Sequence, residues 1–263
     1  MDNNKIDTPL ASFSLTHVHY NPEDPLSYLC AFLSLVPQAI VVVYVALIWA
    51  SREVEVLFMF AGQILCEALN FGLKRVIRQE RPQRTLPQNL SLLRFLSIWK
   101  FISAPAKRQP SLEVYGKGYG MPSSHSQFVA FFAFSVALFL LVRHKPTSSS
   151  TLPNDSPSTL TERVILSLLA FSGAAAVASS RIYLNYHTPK QVMVGIAAGI
   201  AFSVVWYLFG THLRRSGWID WLLEVRMAKL LRMRDLLIGE DLAEAGWQRW
   251  KVKRGQSVVK KFE

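Results

Sequence analysis

The chain has few thiols and few acids. Only Cys30 and Cys66 occur in 263 residues. Both lie inside apolar segments, so no disulfide framework is available and the redox compartment is not legible. Eighteen Asp and Glu stand against 29 Lys and Arg, a formal net charge of +11. Almost no carboxylate lies near the histidines, and the histidines are far apart in sequence, which argues against a metal centre. No cofactor is expected. Residues 1–27 lack the basic-then-apolar pattern of a cleaved signal peptide, so the first span is expected to direct its own entry into the membrane.

Apolar sequence is abundant: 51% of residues are hydrophobic and the mean hydropathy is +0.22. The apolar residues come in blocks, not in amphipathic stripes, which implies a single multi-spanning membrane domain. The positive charge lies between these blocks and in the tail. Phosphate-bearing lipids and an anionic membrane surface therefore fit it better than nucleic acid does.

Five blocks are long enough to cross a hydrocarbon core, which takes about 20 residues. They run roughly over 28–50, 54–73, 125–142, 164–180 and 189–210. Pro37 predicts a kink in the first, and the short Ser51-Arg52-Glu53 connection makes the first two antiparallel neighbours. The expected fold is all-α, a polytopic transmembrane helix bundle of about five spans plus an interfacial helix. That helix is placed at 90–102, with Trp99 and Lys100 as anchors. Glycines 116, 118 and 120 predict a flexible approach to Pro122, and 143–162 reads as a loop. Gly173 in the fourth span and Gly195 and Gly199 in the fifth predict close helix packing. Glu67 in the second span is expected to face the bundle. It lies on nearly the same helical face as Lys74, and either pairs with that lysine, sits beneath the phosphate site formed by the basic cluster that follows, or is simply a carboxyl kept protonated or bonded to a neighbouring helix.

Counting five crossings puts three basic clusters on one side. In the first, Lys74, Arg78 and Arg81 follow the second span at helical spacing, with Pro82 after them. An ammonium and a guanidinium together grip phosphoryl oxygens, although cations flanking a span also act simply as topology determinants. In the second, Met121-Pro122-Ser123-Ser124-His125 opens a helix. Ser124 and Gln127 have capping-box spacing, and the same helix start offers N–H groups and hydroxyls to an anion, with His125 beside it as a proton donor. In the third, Arg181 can clamp a phosphoryl group while His187 attacks it, provided an acceptor holds the second imidazole nitrogen. Gln191 is the obvious acceptor. The alternative is an ordinary helix start with Thr188 as N-cap, Pro189 at N1 and Gln191 at N3.

The chain thus divides into an N-terminal segment 1–27, a membrane domain 28–211 and a basic tail 212–263. The tail holds twelve basic and seven acidic residues with four tryptophans, and fits amphipathic helices on an anionic cytoplasmic leaflet. It ends Lys260-Lys261-Phe262-Glu263, which resembles the dilysine signal read by cytosolic coat proteins. That reading makes the tail cytosolic and puts the three clusters, and the sequon at Asn89, in the lumen.

Lys74-(six residues)-Arg81-Pro82, Pro122-Ser123-Ser124-His125 and Ser180-Arg181-(five residues)-His187 together resemble the three-part signature of the type 2 phosphatidic acid phosphatase superfamily. The resemblance covers about residues 54–210. It departs from the usual pattern at Ser124, where a glycine is usual, and at Gln191, where an aspartate is usual. These departures are the expected form in the branch acting on dolichyl diphosphate in the endoplasmic reticulum. The resemblance implies metal-independent hydrolysis to dolichyl phosphate and phosphate. His187 would be the nucleophile, His125 the acid and base, and Lys74, Arg81, Ser123, Ser124 and Arg181 the phosphate ligands.

Overall fold

The structure, a computed structural model, describes residues 11–13, 18–81, 119–145 and 158–262. Five helices in it are long and apolar enough to cross a membrane, with mean hydropathy between 1.6 and 2.4: Pro25–Ser51, Val54–Ile77, Ser124–Arg143, Leu160–Tyr183 and Pro189–Arg215. Their outward faces carry exposed Val42, Val43, Leu168, Leu169, Val205 and Leu208, as expected where lipid is the solvent. The expected interfacial helix at 90–102 and the sequon at Asn89 lie outside the described residues.

The first span is broken as its proline requires. Helix α1 (Pro25–Leu33) and helix α2 (Val36–Ser51) are joined through Ser34 and Leu35, whose N–H groups bond three residues back to Ala31 and Phe32. Pro37 has no N–H to continue the ladder, so the chain tightens there instead. Helix α3 (Val54–Ile77) packs on helix α4 (Ser124–Leu138), which a short π-helical turn, Phe139–Arg143, extends. Helix α5 (Leu160–Tyr183) and helix α6 (Pro189–Arg215) complete the bundle.

Helix α4 is central, with half of its spanning window buried. Its closest neighbour is α6, through the glycine pair of the fifth span. A Cβ at Gly195 would lie 2.7 Å from the Ser123 carbonyl oxygen, and one at Gly199 would lie 2.4 Å from that of Gln127. Only glycine lets the two backbones touch, which brings the first turn of α4 against the first turn of α6. Gly173 behaves otherwise: it faces open space, and α5 packs through Ala174, Val177 and Ala178 instead.

Two further expectations change. Gln127 does not cap its own helix. Ser123 is the N-cap, without a side-chain capping bond, while Gln127 reaches α3, donating to Cys66 O and accepting from Asn70 at 2.7 Å. Glu67 is exposed and uncovered by any helix among the described residues, because α3 packs through Gly62, Gln63, Cys66 and Asn70, a face whose centre lies about 85° round the helix from it. It does lie within electrostatic reach of Lys74.

A two-stranded antiparallel hairpin, β1 (Ala11–Phe13) and β2 (Val18–Tyr20), precedes the bundle. Val18 joins Cys30, Ala31 and Leu184 in a small core at the end of the bundle where α5 turns into α6. Asp24 caps α1 and accepts from Tyr183 Oη at 2.6 Å, and His19 N donates to Tyr186 Oη.

The opposite end is tied by ion pairs. Glu55, 2% exposed, binds Arg143 and Arg214 at 2.6 Å each, and Arg214 also pairs with Asp235. Glu53, fully buried, binds Arg234 and accepts the backbone N–H groups of Leu236 and Leu237. His144 bonds Leu237 O, and Arg234 bridges Arg52 and Val54. Residues 234–238 are therefore stitched onto the span ends. Helix α7 (Trp218–Glu224), helix α8 (Arg226–Leu230) and helix α9 (Leu242–Phe262) make up the rest of the tail.

Candidate active site

The three clusters meet at the end of the bundle that carries the hairpin. Helix α5 ends in a Schellman motif: Tyr186 N bonds Arg181 O, Asn185 N bonds Ile182 O, and Asn185 takes the left-handed φ of 56°. His187 N also reaches Arg181 O at 3.3 Å. The five residues between Arg181 and His187 are thus one helix termination, which returns the histidine to the turn that bears the arginine. Arg181 is 2% exposed and lies under the ring of Tyr186, 5.6 Å from its centroid.

Thr188 and Gln191 form a full capping box, each side chain bonding the other's backbone N–H. Gln191 does more than cap. Its Oε1 is also 3.3 Å from His187 Nδ1, and its Nε2 donates to Glu80 O at 3.0 Å. Its backbone carbonyl takes the N–H of Ser123. One glutamine therefore touches all three clusters. An aspartate at this position has no N–H to give Glu80 O.

His187 is buried, and its Nδ1 faces two acceptors, Gly120 O at 2.9 Å and Gln191 Oε1. Both require a proton on Nδ1, which leaves the lone pair on Nε2. Burial, followed by the charge of Arg81 and then by those of Lys74 and Arg181, pushes the ring from its ordinary 6.5 down to about 4, against the hydrogen bond it donates to Gln191. The histidine is neutral near pH 7, as a nucleophile must be.

Gly120 is a site residue that the sequence pattern did not single out. It is packed, not flexible: its N–H donates to Gln79 O at 2.7 Å and its carbonyl receives His187. A Cβ there would lie 2.8 Å from Gln191 Nε2 and 3.1 Å from Arg81 Cα. A third glycine in a row marked as a hinge gave no signal of this. Arg78 leaves the cluster; it ends α3 in the left-handed region and turns its guanidinium back onto Arg75 O.

Arg81 Nε and Arg181 Nη2 are buried with no hydrogen-bond partner among the described residues. Lys74 and Arg181 lie within electrostatic reach of both histidines. His125, half-buried at the start of α4, presents Nε2 to Ser34 O at 3.3 Å, in the broken turn between α1 and α2. With Nε2–H held there, Nδ1 is the nitrogen open to proton traffic. Ser123 is fully buried and accepts from Ser126, and Ser124 follows it in the first turn of the helix. Buried cations with unused donors, helix-start N–H groups and a neutral imidazole make an anion site suited to phosphoryl transfer.

The family model described as PAP2 superfamily matches residues 54–215. Curated relatives cover most of the chain. A Neurospora crassa protein, whose name assigns it provisionally to the dolichyldiphosphatases, is 41% identical over 94% of this chain and 94% of its own. Dolichyldiphosphatase 1 of Dictyostelium discoideum is 32% identical over 89% of this chain and 87% of its own. Dolichyldiphosphatase 1 of Homo sapiens is 34% identical over 74% and 70% respectively. No solved structure matches.

Proposed function

The chain belongs to the PAP2 superfamily, and we propose that it hydrolyses dolichyl diphosphate to dolichyl phosphate and phosphate, recycling the lipid carrier of protein N-glycosylation. The observation that carries the chemistry is His187, whose Nδ1 is fixed by Gly120 O and Gln191 Oε1 beside guanidinium donors that have no partner among the described residues. The substrate rests on relatives named dolichyldiphosphatase in a fungus, an amoeba and a mammal.

In the first step His187 Nε2 attacks the terminal phosphorus. A P–N bond forms, the bond to the bridging oxygen breaks, and dolichyl phosphate leaves with a proton from His125 Nδ1. In the second step His125 takes a proton from water, whose oxygen attacks the phosphohistidine and breaks the P–N bond. Phosphate departs and both imidazoles return to their starting states. Lys74, Arg81, Arg181, the Ser123 and Ser124 hydroxyls and the helix-start N–H groups hold the equatorial oxygens, where the charge of the transition state resides. No step calls on a metal.

The enzyme is placed in the endoplasmic reticulum with the site facing the lumen and 212–263 in the cytosol, where Lys260 and Lys261 would meet coat proteins. A second reading keeps the site and changes the lipid to phosphatidate, a sphingoid phosphate or another polyprenyl diphosphate.

Phosphate release by purified protein in excess chelator, from dolichyl diphosphate beside phosphatidate and dolichyl monophosphate, separates these readings. Chelator-resistant release favouring the diphosphate is expected, and preference for phosphatidate would move the substrate. His187→Ala should lower the rate on the order of 10³-fold or more. A variant that keeps most of the wild-type rate would exclude His187 as nucleophile.

A further inference from the structure

The segment just beyond the last span exposes apolar side chains that no other part of the described protein covers. Trp218 is 56% exposed and Trp221 60%, on the same face of α7 and in edge-to-face contact, while Ile219 alone is buried. Met227, Leu230 and Leu231 on and after α8 are exposed as well. Basic Arg226, Lys229 and Arg232 alternate with them, against Asp220 and Glu224, the latter paired with Lys229.

The level at which this segment lies is set at both ends. It leaves α6 at Arg215 through Gly217, whose left-handed φ of 74° makes the turn. Fewer than 20 residues later the chain is pinned again, where Arg234 N bonds Arg52 O and Val54 N bonds Arg234 O in the turn between the first two spans. A segment tethered to span ends on both sides lies at headgroup depth, where tryptophans and long basic side chains anchor. Helix α9 follows directly and repeats the chemistry with more charge. Trp247 and Trp250 stack at 4.7 Å, both exposed, with Lys251 over one ring and Arg254 over the other.

We propose that the exposed faces of α7 and α8, together with the Trp247–Trp250 face of α9, form a docking surface for the anionic lipid leaflet on the side away from the phosphate site. The tryptophans and Leu230 sit among the headgroups, and Lys251 and Arg254 select acidic lipid. The stitching at Glu53 and Glu55 ties the α7–α8 segment to the span ends, so docking it also fixes the depth of the bundle in the bilayer.

The test uses the full-length protein in nanodiscs carrying a headgroup nitroxide lipid, made with phosphatidylcholine alone or with added phosphatidylserine. Quenching assigned to α7 is the wild-type signal minus that of Trp218→Phe/Trp221→Phe. Quenching assigned to α9 is the same difference with Trp247→Phe/Trp250→Phe. Both should be strong, and the α9 part should rise roughly twofold with phosphatidylserine. Lys251→Gln/Arg254→Gln should return that rise to the phosphatidylcholine level while phosphate release stays at the wild-type rate. Tryptophan pairs unquenched in both discs would overturn the proposal, whether they face water or lie against another protein copy. So would a rise with phosphatidylserine that survives the charge-neutral variant.

Discussion

Both ends of this bundle bury charge, and they treat it in opposite ways. At the tail end, Glu55 satisfies Arg143 and Arg214, and Glu53 satisfies Arg234 and two backbone N–H groups. At the other end Arg81 and Arg181 keep buried donors without partners among the described residues, and both histidines sit within reach of the charges of Lys74 and Arg181. A closed network at low dielectric holds helices together. An open one is held in place by the rest of the fold and, under the proposed mechanism, would gain its partner from the phosphate of the substrate. The difference separates a joint from a site, and substitutions at the two ends should divide stability from activity.

The largest stability effect is expected at the joint. Glu55→Ala leaves the buried Arg143 guanidinium without its carboxylate and Arg214 with Asp235 alone, and should cost about 3–5 kcal/mol. Thermal unfolding in detergent should show it, while phosphate release per folded molecule is retained. Arg181→Ala should do the reverse. It removes a cation with no ion pair among the described residues, so the melting temperature should hold or rise, while kcat/KM falls on the order of 10²–10³-fold. If both variants lose stability equally, the two ends do not differ as argued.

A smaller effect tests the link between them along the chain. Asn185 occupies the left-handed position that ends α5 and aims His187. A β-branched residue cannot adopt that φ without strain, so Asn185→Val should cost about 1–2 kcal/mol and lower kcat by displacing His187, whereas Asn185→Gly should be close to neutral. Equal stability and kcat for the two variants would show that the termination does not position the histidine.

The spans were legible because each is a continuous apolar block, and the break in the first because Pro37 cannot donate. The three clusters were legible because their cations and histidines fall at block ends, in an order matching a known signature. The joint was not. Glu53 reads as a polar turn and Glu55 as the first turn of a helix, and their ion-pair partners lie 88 to 181 residues away along the chain. Gln127 misled for a related reason: local spacing offered a cap, but a carbonyl and an amide on α3 bound its side chain instead. Local rules also gave no view of Gly120, whose value lies in what its carbonyl and missing Cβ meet across the site.

The finest distinction within the site is titration. His187 sits near 4 instead of 6.5, with burial the main cause, Arg81 next, and the bond to Gln191 acting the other way. With His187 as the proposed nucleophile the free enzyme needs the neutral ring, so kcat/KM should fall as pH drops through about 4, not through 6.5. The stability sign agrees: between those values the unfolded chain holds the extra proton, so stability falls as pH falls from about 6.5 to about 4 and levels below. Arg81→Gln should move the acid limb upward, toward 6.5 but not to it, because burial remains. Gln191→Leu removes an acceptor that favours the charged ring and should move the limb down. The two shifts are read from the pH dependence of the residual rate, each normalised to its own maximum. Shifts of the same sign would mean that Gln191 does not accept from His187, and the orientation of the proposed nucleophile would then rest on the Gly120 carbonyl alone.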